Sequence, residues 1–186
     1  MMKKYEEAEH WRQGRKTVSY YEEAIEKTKN GPQRHAELME VIKPDDMPWE
    51  ICKQGKLKHV IHEKMHAISK TMNAYIQEIP PGSKSGKHRH MAEEVLFVLE
   101  GQGYDLHWDV DLHLTDRYEW VVAEEPKRFD WEVGDVITIP VNTVHQHFNS
   151  DPHNPARLLS ASSTVYETLD CDDLEQLEDA PEFESK

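Results

Sequence analysis

The chain is cut into short β-rich runs, and this limits its fold more than any other feature. Between residues 40 and 166 lie Asn73–Ile79, Glu94–Glu100, Tyr104–Trp108, Tyr118–Val122, Asp135–Ile139 and Arg157–Ala161. Gly82, Gly101, Gly103 and Gly134, with several Pro and Asn residues, punctuate them. Short strands separated by turn residues predict an antiparallel sandwich or barrel. Two stretches, Val95 to Leu99 and Val136 to Ile139, are apolar on both faces. A strand with one face in water alternates instead. Something is therefore expected to cover the outer face: the N-terminal segment, a partner subunit, or both. A homodimer is the expectation.

The flanks differ in texture. Residues 3–30 are rich in Glu, Lys, Tyr and Ala and hold no Pro, with Val18, Tyr21, Ala24 and Ile25 at helical spacing. Asn30-Gly31-Pro32 reads as a helix stop, and Gly14 as a break between two pieces. Residues 1–39 are thus expected to form a helical arm, and 40–166 the β domain. Residues 167–186 carry nine acids and one lysine, and read as a solvated acidic tail. Leu174 and Leu177 there support a helical turn or two at most.

Charge narrows the classes of function. The 186 residues hold 22 Lys and Arg against 36 Asp and Glu, a formal charge of −14. So acidic a chain is ill suited to gripping nucleic acid or an anionic membrane surface. No run of 18 or more apolar residues appears, so no transmembrane helix is expected. The two lysines near the start have no apolar stretch behind them, so no signal peptide is expected either. Cys52 and Cys171 are far apart and outside any C-x-x-C pattern. They read as reduced thiols of a cytoplasmic protein.

The twelve histidines carry the chemistry. His88 and His90 are two apart, so on a strand both point to one face. Glu94 follows His90 at an even offset and joins that face if the chain stays extended. In the stretch Gly134 to Asn149 a strand ends at Pro140, a turn follows through Asn142, and the next strand begins with His145. If the two segments face each other, three imidazoles and one carboxylate converge. Such donors suit divalent first-row metals. Four ligands on one side of an octahedron leave two positions open. One carboxylate against a doubly charged ion leaves a net positive charge that attracts an anion.

The two segments resemble the paired motifs of the cupin superfamily. The first pattern, G-x5-H-x-H-x3-E-x6-G, is met at Gly82, His88, His90, Glu94 and Gly101. The second, G-x5-P-x-G-x2-H-x3-N, is met at Gly134, Pro140, His145 and Asn149, with Asn142 in place of the turn glycine. Asn tolerates the left-handed conformation better than most residues, so the turn is expected to survive. The resemblance spans about residues 70–165. It implies an all-β, cupin-type double-stranded β-helix, a jelly-roll barrel, with His88, His90, Glu94 and His145 as metal ligands. It does not fix the reaction, since cupins include dioxygenases, decarboxylases, isomerases, lyases and non-enzymatic binding proteins.

Neighbours of the motifs are candidates for shaping the pocket. His147 shares the parity of His145, and Tyr75 and Gln77 share a parity on the preceding strand. His147 and Tyr75 are read as candidate proton-handling residues, and Gln77 as a pocket-lining one. Of His107 and Trp108 only one faces inward, and Trp108 is taken as the substrate contact. Arg157 is a natural clamp for a substrate carboxylate. His113, near Asp109 and Asp111, reads as surface. The leading expectation is a non-haem iron dioxygenase acting on a small organic acid or phenolic compound. It would use one divalent ion, Fe(II) favoured over Mn, Zn, Ni or Cu, and no organic cofactor. A redox-neutral isomerase, lyase or decarboxylase, or a non-catalytic ligand-binding cupin, are the alternatives.

Overall fold

The structure is a computed structural model describing residues 18–29 and 38–183. The chain divides into two units, 1–38 and 39–186. In the first, helix α1 spans Tyr20–Lys29 with all its side chains exposed. Ser19 opens it by donating its hydroxyl to Glu23 at 2.6 Å. The expected break at Gly14 and the stop at Asn30-Gly31-Pro32 lie outside the described residues.

Among the described residues, the second unit is built from thirteen strands. They are β1 (Trp49–Cys52), β2 (Gly55–Ile61), β3 (Met72–Ile79), β4 (Lys87–Arg89), β5 (Glu94–Glu100), β6 (Gln102–Trp108) and β7 (Val110–Leu114). There follow β8 (Tyr118–Val122), β9 (Lys127–Glu132), β10 (Val136–Ile139), β11 (Val144–Asn149), β12 (Ala156–Ser163) and β13 (Glu175–Glu178). A short helix, α2 (Val165–Thr168), precedes β13. Six strands form one antiparallel sheet in the order β1-β2-β3-β12-β5-β10, five form a second in the order β13-β4-β11-β6-β9, and β7-β8 is a separate hairpin. This is the two-sheet jelly roll expected of a cupin.

Alternation fixes which residues fill the space between the sheets. On β5, Leu96 and Val98 are buried, and they cluster with Ile79, Trp131, Ile137, Ile139, Ala156 and Leu158 from both sheets. Truncating one such Leu to Ala costs about 2–5 kcal/mol in typical cores. The polar ends of the same strands, Glu94 on β5 and His145 on β11, approach within 3.3 Å at one end of this core. The outward side chains Val95, Phe97, Leu99 and Val136 are 40–58% exposed. The double-faced apolar pattern is therefore real, and among the described residues of this unit nothing covers it.

The acidic C-terminal segment departs from its reading as a solvated tail. Glu175–Glu178 is a strand, not a helical turn, and pairs with the strand that carries His88. Its charge is met by fixed cations: Arg89 holds Asp173 and Glu175, and Lys84 holds Glu178. Those long-range pairs, not the segment's own propensity, make it a strand.

Candidate metal centre

Backbone anchors aim the three imidazoles. His90 Nδ1 lies 2.8 Å from the Ala92 carbonyl and His145 Nδ1 2.9 Å from that of Thr143. His88 Nδ1 makes a longer contact, 3.4 Å, to the Gly86 carbonyl. Each carbonyl is two residues from its ring, so local chain geometry sets the orientation. With Nδ1 spent as a donor, Nε2 is the lone-pair nitrogen that faces the site. Gly86 itself is required by crowding: a Cβ there would sit 2.3 Å from the Lys53 carbonyl oxygen and 2.4 Å from Gln176 Nε2. The Lys53 backbone and Gln176 thus pack directly against the chain just before β4 and His88.

Glu94 is oriented from the other side. Its Oε1 accepts hydrogen bonds from the Tyr75 hydroxyl at 3.0 Å and from Ser160 Oγ. Its Oε2 is left facing His90 Nε2 at 3.2 Å and His145 Nε2 at 3.3 Å. The donor atoms of His88, His90, Glu94 and His145 all lie within 4.8 Å of one another, the one such cluster among the described residues. The Nε2 atoms of His88 and His145 are buried with no hydrogen-bond partner. An orphaned buried nitrogen costs about 1–3 kcal/mol, and two of them within this four-donor group are fitted to meet a metal ion.

The electrostatics favour the metal-binding forms of His88, His145 and Glu94, whereas the Glu94 carboxylate raises His90 in spite of its burial. Burial, and then the charge of His145, hold His88 well below its usual value. Burial also lowers His145 although Glu94 opposes it. For Glu94, burial alone would raise the carboxyl, but the adjacent His145 and His90 outweigh that and hold it well below the carboxylate range. Neutral imidazoles beside an ionised carboxylate are what a divalent cation needs. Burial and the Glu94 charge push the Tyr75 phenol well up, so it is a hydrogen-bond donor.

The cluster opens onto a cavity of about 320 Å³. Tyr75, Gln54, His62, Asn73, Thr164 and Asp172 are among its walls. Of the residues singled out from sequence, His88, His90, Glu94 and Tyr75 line it. His145 completes the cluster from β11. His147 shares the inward face, but its Nδ1 sits 2.9 Å from Asp105 and the ring lies outside the cavity wall. Gln77 is buried and donates to the Gln54 carbonyl at 2.8 Å, supporting the loop whose side chain reaches the cavity.

Two expectations are corrected. Arg157 is not a substrate clamp: it pairs with Glu78 at 2.8 Å and with Glu100, on the outward face of β12. Leu158 and Ser160 take the inward positions of that strand, so alternation turns Arg157 away. Trp108 is not a substrate contact either, because its ring lies under the Lys87 ammonium at 3.6 Å, and it does not line the cavity. His107 faces inward with Asp105 instead. Sequence reasoning missed Ser160, Gln54, His62 and Asn73. Ser160 had no clear signal, since Leu158 and Leu159 make both faces of that strand apolar in sequence. The others come from loops and strand ends whose approach depends on the folded chain.

The profile of the auxin-binding protein family matches residues 34–166. The chain belongs to that family. It is 30% identical to auxin-binding protein T85 of Nicotiana tabacum over 61% of this chain and 58% of that one. With auxin-binding protein 1 of Arabidopsis thaliana it shares 30% identity over 56% of this chain and 50% of that one. The chain therefore spans about three fifths or less of these relatives' length. In fold it is similar to the vicilins of tomato (TM-score 0.54, 15% identity, 73% of this chain and 35% of that chain) and hazelnut (TM-score 0.52, 17% identity, 74% and 36%). The cupin superfamily assignment stands on the fold and on both motifs, and within it this member of the auxin-binding protein family keeps a four-residue cluster able to hold a metal ion.

Proposed function

We propose that His88, His90, Glu94 and His145 hold one divalent metal ion, and that the adjoining cavity binds a small organic acid against it. The observation that carries this is the pair of buried, unpartnered Nε2 atoms of His88 and His145, in a group whose donor atoms lie within 4.8 Å of one another. A doubly charged ion facing one carboxylate keeps a net positive charge, which favours an anionic ligand. Among the residues lining this cavity there is no Lys or Arg to compete for that role. Membership of a family whose relatives are named for binding auxin supports binding over turnover. The test is thermal unfolding of metal-loaded and metal-stripped protein across small carboxylic acids and their amides. Acids at about a hundred times their Kd should stabilise the loaded form by about 2.7 kcal/mol. Equal stabilisation of the stripped form, or of acid and amide alike, would overturn the proposal.

A second reading is an Fe(II) dioxygenase of small organic acids or phenols. It is supported by Tyr75, whose hydroxyl borders the cavity and touches Glu94, where it could hold or pass a proton. Iron would supply the redox chemistry between substrate and dioxygen. Oxygen uptake by iron-loaded protein over a panel of phenolic and keto acids supports this reading, and none with iron retained rejects it. Turnover without oxygen on zinc or manganese would instead indicate an isomerase, lyase or decarboxylase. The same proposal includes a homodimer through the exposed Val95, Phe97, Leu99 and Val136 face, checked by sedimentation of the wild type against Phe97→Glu. It also places the protein in the cytoplasm, in keeping with free thiols at Cys52 and Cys171.

A further inference from the structure

We infer that Arg89 is a positioning residue for the metal centre, acting through a polar clasp with buried Asn142 and half-exposed Asp173 and Glu175 that locks the two ligand-bearing segments together. This rests on the metal reading above. Arg89 stands between His88 and His90, so its side chain leaves β4 on the face opposite to theirs. It is nonetheless buried, at 4% exposure. Its Nη1 donates to Asn142 Oδ1 and to Asp173 Oδ2, both at 2.7 Å, and its Nε donates to Glu175 Oε2 at 2.8 Å. Its guanidinium carbon lies 5.8 Å from the centre of the Trp120 ring on β8. The planar fork of donors suits this many acceptors at once, which an ammonium would not.

The clasp answers a structural need. β4 is three residues long and meets β11 at a single pair, His145 opposite His88. So short a strand does not fix the aim of two ligands by itself. The Arg89 bonds add a tie to the turn that delivers His145 and another to the C-terminal segment. Backbone bonds run beside them, from Asn142 N to the His90 carbonyl at 2.9 Å and from Met91 N to the Asp172 carbonyl at 2.7 Å. Asn142 is the one departure from the second motif, and it holds the left-handed turn at φ 59°. Glycine would hold that turn equally well but would offer Arg89 no acceptor. The departure and Arg89 are two halves of one contact.

The test uses the full chain, with zinc affinity by competition and the visible absorption of the cobalt(II) form as readouts. Arg89→Met should weaken zinc binding about 10–100-fold, the usual cost of losing a group that orients metal ligands, and should change the cobalt spectrum. Arg89→Lys should recover part of the affinity. Asn142→Gly should weaken binding by less, and should add nothing in the Arg89→Met background, because the two share one contact. Wild-type zinc affinity and an unchanged cobalt spectrum in Arg89→Met would overturn the inference, even if that variant melts at a lower temperature. If Arg89→Met does not fold, Asn142→Gly decides by the same two readouts. A wild type that takes up neither metal overturns the metal reading and this inference with it, whereas tight binding by wild type and variants alike overturns this inference alone.

Discussion

Glu94 and Asp105 are both buried carboxylates ringed by imidazoles inside one jelly roll, and they differ in what is left over. Around Asp105, Trp131 Nε1 donates at 2.8 Å, His147 Nδ1 lies at 2.9 Å and His107 Nε2 at 3.4 Å. The carboxylate faces three nitrogens, of which His147 Nδ1 meets it as an ion pair without a well-aligned hydrogen bond. Around Glu94 one oxygen is occupied by Tyr75 and Ser160, while the other faces nitrogens of which His145 Nε2 has no partner of its own. The same residue types thus serve two ends. The circle of partners around Asp105 closes on the carboxylate itself and contributes stability, whereas the four donor atoms around Glu94, within 4.8 Å of one another, make a place for a cation.

The largest effect is expected where the circle is closed. Asp105→Asn leaves the buried His147 without its counter-charge, so it should cost about 3–5 kcal/mol in urea unfolding while changing metal affinity little. Burial alone would raise the Asp105 carboxyl, but His147 and the bonds from His107 and Trp131 hold it well below its usual range. A depressed folded value means stability present above the unfolded value, about 3.9, and lost as pH falls through the folded one. The gap between wild type and Asp105→Asn should therefore be full from about pH 4 up to the raised His147 value, narrowing in stronger acid and again as His147 loses its proton. A gap of constant size down to strong acid would show that Asp105 acts by packing rather than charge.

His145→Ala should invert that pattern. Metal affinity should fall by more than about a hundredfold, beyond the 10–100-fold range typical of groups behind the ligands. Unfolding of the metal-free protein should become only modestly easier, because the lost packing of the ring is offset by removal of an unpartnered buried nitrogen. Metal analysis and urea unfolding of the stripped form check the two halves separately. A loss of stability in the stripped form as large as that of Asp105→Asn would erase the distinction drawn between the two clusters.

How much of this was legible in the chain follows from what is local. His88 and His90 at a spacing of two, the turn at Asn142 and the strand from Glu94 are short-range patterns, and the ligand set could be read from them. The orientation of β12 could not: Leu158 and Leu159 are both apolar, so alternation does not say whether Arg157 or Ser160 faces the metal cluster. On β6 the obstacle was Asp105, which in isolation reads as an outward residue. Only Trp131 and His147, from other strands, make its burial affordable and so put His107 rather than Trp108 inside. The strand at Glu175–Glu178 was hidden for the same reason, since the cations that hold it lie about ninety residues away in sequence, as the Arg89–Glu175 and Lys84–Glu178 bonds show.

Smaller effects sharpen the comparison. Ser160→Ala removes one of the two hydroxyls on Glu94 Oε1 and should weaken metal binding about tenfold, with Tyr75→Phe similar. A ligand-binding role for Tyr75 beyond its bond to Glu94 would appear as a loss of acid affinity in Tyr75→Phe that Ser160→Ala does not share at saturating metal.

The smallest effect is expected at Arg157, and it tests the correction made to its role. Its side chain is 40% exposed and its partners, Glu78 and Glu100, lie on the outer face. Exposed pairs of this kind are worth about 0–1 kcal/mol. Arg157→Gln should therefore leave both the metal affinity and the acid-induced stabilisation at wild-type values, and shift unfolding by no more than that. A loss of acid binding in Arg157→Gln with metal binding intact would restore Arg157 to the pocket and require β12 to turn its other face inward in solution, carrying Ser160 away from Glu94.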